Sequence, residues 1–111
     1  IEEKIAMKFD KNKTIERLGL DEDTVDMLFD NFFLTLDSDL LKLQIAIDSK
    51  NGEDISKAAH YIKGACTNLG MDEASVILQE IETKSKEDEV DFDLKELKMI
   101  FDEIKKDLKR D

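Results

Sequence analysis

The chain has few of the residues that interrupt helices or form common catalytic motifs. Its 111 residues include no proline, no tryptophan, four glycines, one cysteine and one histidine. So few helix breakers favour an all-helical protein. The single cysteine, Cys66, excludes an intramolecular disulfide, and its apolar neighbours predict an inert core thiol. No apolar run approaches the roughly 20 residues that span a bilayer, and no signal peptide is visible, so we expect no direct membrane contact.

Charge is abundant, and one sign prevails. The 28 acidic and 17 basic residues give a net charge of −11 at pH 7, which argues against nucleic acid and anionic membranes as partners. The length predicts one domain over residues 1–111, and nothing in the sequence requires a dimer, so we expect a monomer. The chain begins with Ile1 rather than methionine, which is compatible with a domain excised from a longer protein.

The sequence does contain a helical repeat of apolar residues. Four segments carry these residues at steps of three and four, as amphipathic helices do. Four such helices joined by short turns predict an antiparallel four-helix bundle over residues 21–111. The predicted buried stripes are Val25, Leu28, Phe29, Phe32, Leu36, Leu40, Leu43 and Ile47; Ile55, Ala59, Ile62, Cys66 and Leu69; Ala74, Ile77, Leu78 and Ile81; and Leu94, Leu97, Phe101, Ile104 and Leu108, with Ile100 at the edge of the last.

Polar residues mark the ends of the first two helices. Asp21 or Asp23 is expected to cap one long helix over residues 22–50, because the apolar repeat continues through the polar residues 37–39. Asn51 is expected to cap the second helix, which follows a turn.

Glycine and capping residues also mark the ends of the later helices. Gly70 is suited to the left-handed position that ends a helix, and Asp72 is expected to cap the third one. Residues 84–89 contain no apolar side chain and are interpreted as a fraying helix end and a loop. Asp93 with Glu96 resembles a capping box for the last helix.

An additional short helical segment is predicted ahead of the bundle, in residues 1–20. Two short helical pieces, residues 2–9 and 14–18, are expected on either side of the polar residues 10–13. They are expected to lie across one end or one side of the bundle.

His60 lies on the polar side of its helix, opposite the apolar stripe and together with Ser56, Lys63, Gly64 and Thr67. A glycine inside a helix costs about 1 kcal/mol relative to alanine, so Gly64 needs an explanation. An exposed imidazole is a suitable nucleophile for a group that a partner brings. Lys63 could place an ammonium group beside it, and Gly64 would leave space around it. An ordinary surface histidine explains the same residues equally well.

Other kinds of site find no support in the sequence. A metal site lacks ligands, since Lys57 stands three residues before His60 and the one cysteine lies on the opposite helix face. The acidic runs lack the glycine and glutamate of a calcium loop. No motif for a serine or cysteine nucleophile is present, and no glycine-rich loop could hold a nucleotide.

The stretch from His60 to Gly70, HYIKGACTNLG, resembles the His-x-x-Lys-Gly…Leu-Gly signature of histidine-containing phosphotransfer (HPt) domains of multistep two-component signalling. The resemblance covers roughly residues 21–110. Many family members have serine directly after the glycine, where this chain has Ala65. The hydroxyl contact of that serine is therefore absent, although Thr67 or Asn68 could replace it weakly.

The resemblance implies that His60 accepts a phosphoryl group from a receiver-domain aspartyl phosphate and passes it to another receiver. Lys63 would orient the phosphoryl group, and Gly64 would admit the receiver's active site. No cofactor is expected in this domain, because the receiver would supply Mg²⁺. The domain would be a phosphohistidine carrier without kinase activity of its own, and it would be cytoplasmic. It would be a free protein or the C-terminal domain of a hybrid sensor kinase. In the second case the kinase would be membrane-bound and this domain would be its cytoplasmic part.

Two alternatives stay open. The chain could be the substrate domain of a chemotaxis-type kinase, or a non-catalytic helical adaptor that binds receivers without transferring phosphate.

The docking surface for a receiver is predicted separately. A second apolar strip on the long helix consists of Met27, Leu34, Leu41 and Ile45 and is either a packing face or a binding face. The N-terminal residues Ile5, Phe9, Ile15 and Leu18 could cover part of it. The candidate docking residues are Leu41, Ile45, Tyr61, Thr67 and Asn68.

Overall fold

A computed structural model describes residues 9–110, except for the side chains of residues 109 and 110. The described part of the chain contains five helices and no strand, which confirms the prediction of an all-α fold. The helices are α1 (Lys11–Leu18), α2 (Glu22–Asp48), α3 (Gly52–Asn68), α4 (Asp72–Lys86) and α5 (Lys95–Arg110). Short connections make successive helices of the bundle α2 to α5 antiparallel.

Side-chain caps fix the starts of the two longest helices as the sequence predicts. The Asp21 carboxylate accepts a hydrogen bond from the Thr24 backbone N–H, and the Asn51 side chain accepts one from the N–H of Asp54. Helix α2 continues without a break through residues 37–39. Gly70 follows the end of α3 with φ of 75°, the left-handed conformation expected of it.

The capping interactions predicted for α4 and α5 differ from those in the structure. Met71, not Asp72, is the N-cap residue of α4, and its side chain makes no capping bond. It is instead a core residue, 1% exposed, and burial of this apolar side chain fixes the entry into the helix. Asp93 accepts from the Lys95 backbone N–H, so no capping box with Glu96 forms. Helix α4 ends at Lys86 and a loop follows, in agreement with the helix end and loop predicted over residues 84–89.

The N-terminal helix differs from its prediction at its start. Asp10 caps α1 by accepting from the Asn12 backbone N–H, so the polar residues that follow Asp10 are helical rather than a separator. The helix predicted over residues 2–9 lies almost wholly outside the described residues. Thr14 of α1 is buried and donates to the Leu69 carbonyl oxygen at 2.7 Å. Phe9 packs edge-on against Phe29 of α2, with ring centroids 5.4 Å apart. The segment therefore covers one end of the bundle, as expected.

The core contains nearly all of the predicted stripes. The α3 stripe is buried throughout, and burial raises the pKa of the Cys66 thiol to about 12, which keeps it protonated and unreactive. Leu28 is an exception on α2, because it is 36% exposed. The other predicted core positions are buried or partly buried against the same cluster.

Helices α3 and α4 pack closely along their length, and this pairing positions the site described below. A Cβ atom added to Gly52 would lie 2.6 Å from the Ser85 carbonyl oxygen, so only glycine allows the two backbones to approach so closely there. At the other end of the pair, Thr67 Oγ1 and Ser75 Oγ lie 2.7 Å apart and share a hydrogen bond. Among the described helices, none combines the length and the apolar character that crossing a membrane requires.

Candidate functional site

His60 lies on the outer face of α3, where the sequence places it. Its side chain is 66% exposed, yet it is not isolated, because Nδ1 lies 3.1 Å from Oε2 of Glu82 on α4. An ionised carboxylate can only accept hydrogen bonds, so Nδ1 donates and carries the proton. In the neutral ring the lone pair is therefore on Nε2. Ser56, predicted to share this exposed face, is instead 8% exposed, because it lies at the margin where α3 packs on its neighbours.

Glu82 is the central residue of the site, although the sequence analysis did not identify it. The residue is only 7% exposed, and its carboxylate accepts from His60, Lys63 and Lys86. Burial alone would raise the pKa of this carboxyl group. Hydrogen bonds from Lys63 and His60 outweigh burial and hold the pKa below its ordinary value. Glu82 is therefore ionised at neutral pH and orients the imidazole.

Lys63 lies one turn after His60 and reaches across to α4. Its Nζ donates to Oε1 of Glu82 at 2.7 Å and to Oε1 of Gln79 at 2.8 Å. The side chain is 19% exposed, and its two hydrogen bonds hold the ammonium group at the same carboxylate that contacts His60. The predicted ammonium group is thus beside His60, in a position set by α4 rather than by α3 alone.

Lys86 supplies a second ammonium group in the last turn of α4. Its Nζ lies 3.4 Å from Oε2 of Glu82, the same oxygen that accepts from His60. The side chain is 63% exposed, in contrast to that of Lys63. One carboxylate oxygen therefore contacts both the imidazole and a solvent-exposed lysine.

Gly64 leaves an open space beside the imidazole. Apart from its chain neighbours and the backbone of its own helix, a Cβ atom added to this residue would meet no heavy atom within 4 Å. No packing requirement in the described structure thus explains the glycine, although its cost to a helix is about 1 kcal/mol relative to alanine. The open space is consistent with the predicted access for a partner.

All five candidate docking residues have solvent-exposed side chains. Leu41, Ile45 and Tyr61 are 59%, 55% and 69% exposed, and Thr67 and Asn68 are exposed at the end of α3. Met27 and Leu34, in the same strip as Leu41 and Ile45, are 63% and 81% exposed.

The predicted cover for this strip is absent from the described residues. Phe9, Ile15 and Leu18 pack against the core cluster instead and leave the strip exposed. Ile5, the fourth residue of the predicted cover, lies outside the described residues.

Three residues of the site were not predicted from the sequence, and all three belong to α4. Gln79, Glu82 and Lys86 are spaced by three and four, so they share one helix face. This polar face was the available signal. It is insufficient by itself, because the periodicity of α3 does not reveal which face of another helix lies beside His60.

The arrangement is suited to nucleophilic chemistry on an outside group. It consists of an imidazole oriented through Nδ1, an exposed second ring nitrogen, and two ammonium groups that can stabilise negative charge. In the part of the chain that the structure describes, no group of at least three His, Cys, Asp or Glu side chains could hold a metal ion.

Comparison with known families agrees with this geometry. The family model described as Hpt domain matches residues 27–109, which include α3, α4 and most of α2 and α5. Searches of curated proteins and of solved structures give no significant match. Because the matched region covers most of the chain and contains the imidazole site, the chain belongs to the Hpt domain family, the phosphohistidine carriers of two-component signalling.

Proposed function

We propose that His60 is the phosphorylated residue, which accepts a phosphoryl group from the aspartyl phosphate of one receiver domain and passes it to the aspartate of another. The observation that carries this proposal is the 3.1 Å contact between His60 Nδ1 and the buried Glu82 carboxylate. This contact assigns the proton to Nδ1 and leaves a lone pair on the outward-facing nitrogen.

The transfer forms and breaks one bond to phosphorus. The lone pair of Nε2 attacks the phosphorus atom of the aspartyl phosphate, and the P–O bond breaks as the aspartate carboxylate leaves with its electrons. In the next transfer a receiver carboxylate attacks, and the P–N bond breaks to restore the neutral imidazole. Catalysis of this kind depends on positioning and on stabilising charge, with Mg²⁺ supplied by the receiver.

The neighbouring residues have separate roles in this proposal. Glu82 is a positioning residue that keeps Nδ1 protonated and the ring oriented. Lys63, which bonds to the same carboxylate as His60, stabilises charge on the phosphoryl group. Gly64 leaves space for the receiver's active site, since a Cβ atom at this position would contact nothing beyond the backbone of its own helix and its chain neighbours.

A receiver would dock on exposed apolar side chains of α2 and α3. Leu41, Ile45 and Tyr61 are each more than half exposed and offer apolar contact area, while Thr67 and Asn68 offer polar contacts. Alanine substitution of Leu41 or Ile45 should lower receiver affinity and transfer rate. Unchanged values at both positions would remove these residues from the docking surface.

The proposal places the domain in the cytoplasm, where it would act as a free protein or as part of a hybrid sensor kinase. The test is incubation with a receiver that carries labelled aspartyl phosphate. Label that is acid-labile and base-stable should appear on the protein and be absent from His60→Gln. A protein that binds phosphorylated receivers without ever acquiring label would instead be an adaptor.

A further inference from the structure

We propose that Lys86 is a second cation for the phosphoryl group on His60, held beside Glu82 until that group arrives. This inference rests on the proposed phosphorylation of His60 and adds a residue to it. It starts from the charge of the cluster around Glu82. One carboxylate there bonds to two ammonium groups, Lys63 and Lys86, so the cluster has one positive charge in excess when His60 is neutral.

The two lysines differ in how firmly they are held. Lys63 has two short hydrogen bonds, at 2.7 and 2.8 Å, and a side chain that is 19% exposed. Lys86 has one contact to the cluster, at 3.4 Å, and a side chain that is 63% exposed. Lys63 alone can neutralise Glu82, so releasing Lys86 leaves the buried carboxylate paired.

Lys86 lies within reach of the phosphoryl group. Its Nζ and His60 Nδ1 contact the same oxygen of Glu82, at 3.4 and 3.1 Å, so the ammonium group lies in the neighbourhood of the ring. A phosphoryl group on Nε2 projects from the far side of that ring. The flexible four-carbon stem of lysine can move the ammonium group from Glu82 to that side. The phosphoryl dianion near the Glu82 carboxylate also creates a repulsion that a second cation relieves.

A purely structural explanation of Lys86 is available and can be separated from this one. A lysine in the last turn of a helix stabilises the helix dipole, and a lysine four residues after a glutamate forms a surface ion pair. Lys84 has both properties, because it lies in the same turn and pairs with Glu80 at 3.1 Å. Its bond is to Glu80 rather than Glu82, so Lys84→Ala is the matched control.

The experiment loads the full chain with phosphoramidate, a small donor whose P–N bond breaks as His60 Nε2 bonds to phosphorus and ammonia leaves. The second ionisation of the phosphoryl group is then followed by ³¹P NMR as the pH is varied. A nearby cation favours the dianion, so Lys86→Ala should raise the titration midpoint by about 0.2 to 0.7 pH unit, as loss of one exposed ion pair would. Lys84→Ala should leave the midpoint unchanged, and Lys86→Arg should keep it low.

The possible outcomes separate the two proposals. Equal midpoints for the wild type and Lys86→Ala, or equal shifts for Lys86→Ala and Lys84→Ala, would overturn the role of Lys86 and leave His60 as the carrier. Failure of the wild type to acquire a phosphohistidine, from phosphoramidate or from any phosphorylated receiver, would overturn both proposals.

Discussion

Two clusters of charge in this protein are built with opposite signs at their centres. In the first, the ammonium group of Lys11 in α1 is nearly buried, with a side chain that is 9% exposed. It donates to Glu22 at 2.9 Å and to Asp26 at 3.2 Å, both in α2 and with side chains 61% and 46% exposed. A buried cation here joins two helices, and the groups that it presents to solvent are carboxylates.

In the second cluster the buried centre is an anion. The Glu82 side chain is also 9% exposed, and it joins α3 to α4 through Lys63 and His60. The groups presented to solvent are an imidazole and the ammonium group of Lys86. In these two clusters the charged groups that face solvent have the opposite sign to the buried charge that holds them. In a chain of net charge −11, the Glu82 cluster is suited to receive a phosphoryl dianion, whereas the Lys11 cluster would repel one.

The largest expected effect is a lower rate of phosphotransfer when Glu82 is removed from the second cluster. Glu82→Ala removes the acceptor for His60 Nδ1, and a hydrogen bond to a charged group contributes about 1.5–3 kcal/mol. We expect the rate of transfer from a phosphorylated receiver to fall by about 10- to 100-fold. Glu82→Gln should retain part of the rate, because an amide oxygen still accepts from Nδ1. The ¹⁵N shifts of the His60 ring should report a mixed tautomer only in the alanine variant.

Glu80→Ala is the control for this substitution, since Glu80 lies on the same helix and bonds to Lys84. It should transfer at the wild-type rate. A folded Glu82→Ala protein that also transfers at that rate would contradict the positioning role of Glu82.

The next effect concerns the open space at Gly64. Gly64→Leu should slow transfer from a receiver by about tenfold or more, which corresponds to about 1.4 kcal/mol or more of lost transition-state stabilisation. Gly64→Ala should slow it less and raise the free energy of unfolding by about 1 kcal/mol, because alanine favours the helix and meets no neighbour. Loading by phosphoramidate should be unaffected in Gly64→Ala, since the small donor needs no docking. Rapid receiver transfer by Gly64→Leu would rule out steric access as the reason for the glycine.

Substitution of Lys11 in the first cluster should change the stability of the fold and leave phosphotransfer unchanged. Lys11→Met removes the bonds between α1 and α2 and should lower the free energy of unfolding by about 1 kcal/mol, a modest value because both carboxylates are partly solvated. Urea unfolding measures this change. The transfer rate of His60 should equal that of the wild type, and a slower rate would mean that the two clusters are coupled.

The smallest effect is the pH dependence contributed by Glu82. Burial alone would raise the pKa of this carboxyl group, but its bonds with Lys63 and His60 keep the pKa below the ordinary value. A carboxyl group whose pKa is lowered by folding contributes stability above the unfolded pKa of about 4.3, and this stability is lost as the pH falls through the folded pKa. The difference in unfolding free energy between wild type and Glu82→Gln should therefore shrink between pH 7 and pH 3. A constant difference would show that charge on Glu82 is not the cause.

Local sequence signals were sufficient for much of the fold. The Asn51 cap, the end of α3 at Gly70 and the buried stripe of α3 follow from spacing and side-chain chemistry, so they were predictable from the chain itself. The start of α4 was not, because burial of Met71 determined it and the nearby aspartate did not. Local capping rules lose to core packing where the two conflict.

The candidate site likewise has one part that the sequence predicts and one part that it does not. That His60 faces outward, with Lys63 one turn later, follows from the helical repeat of α3, and the sequence alone determined it. The buried carboxylate beneath the imidazole comes from α4, and only the tertiary structure decided which of its residues that would be. The register of α3 against α4 depends on the close approach of Gly52 to the Ser85 carbonyl oxygen and on the packing of both apolar stripes. These are contacts between distant parts of the chain, and no periodicity within one helix encodes them.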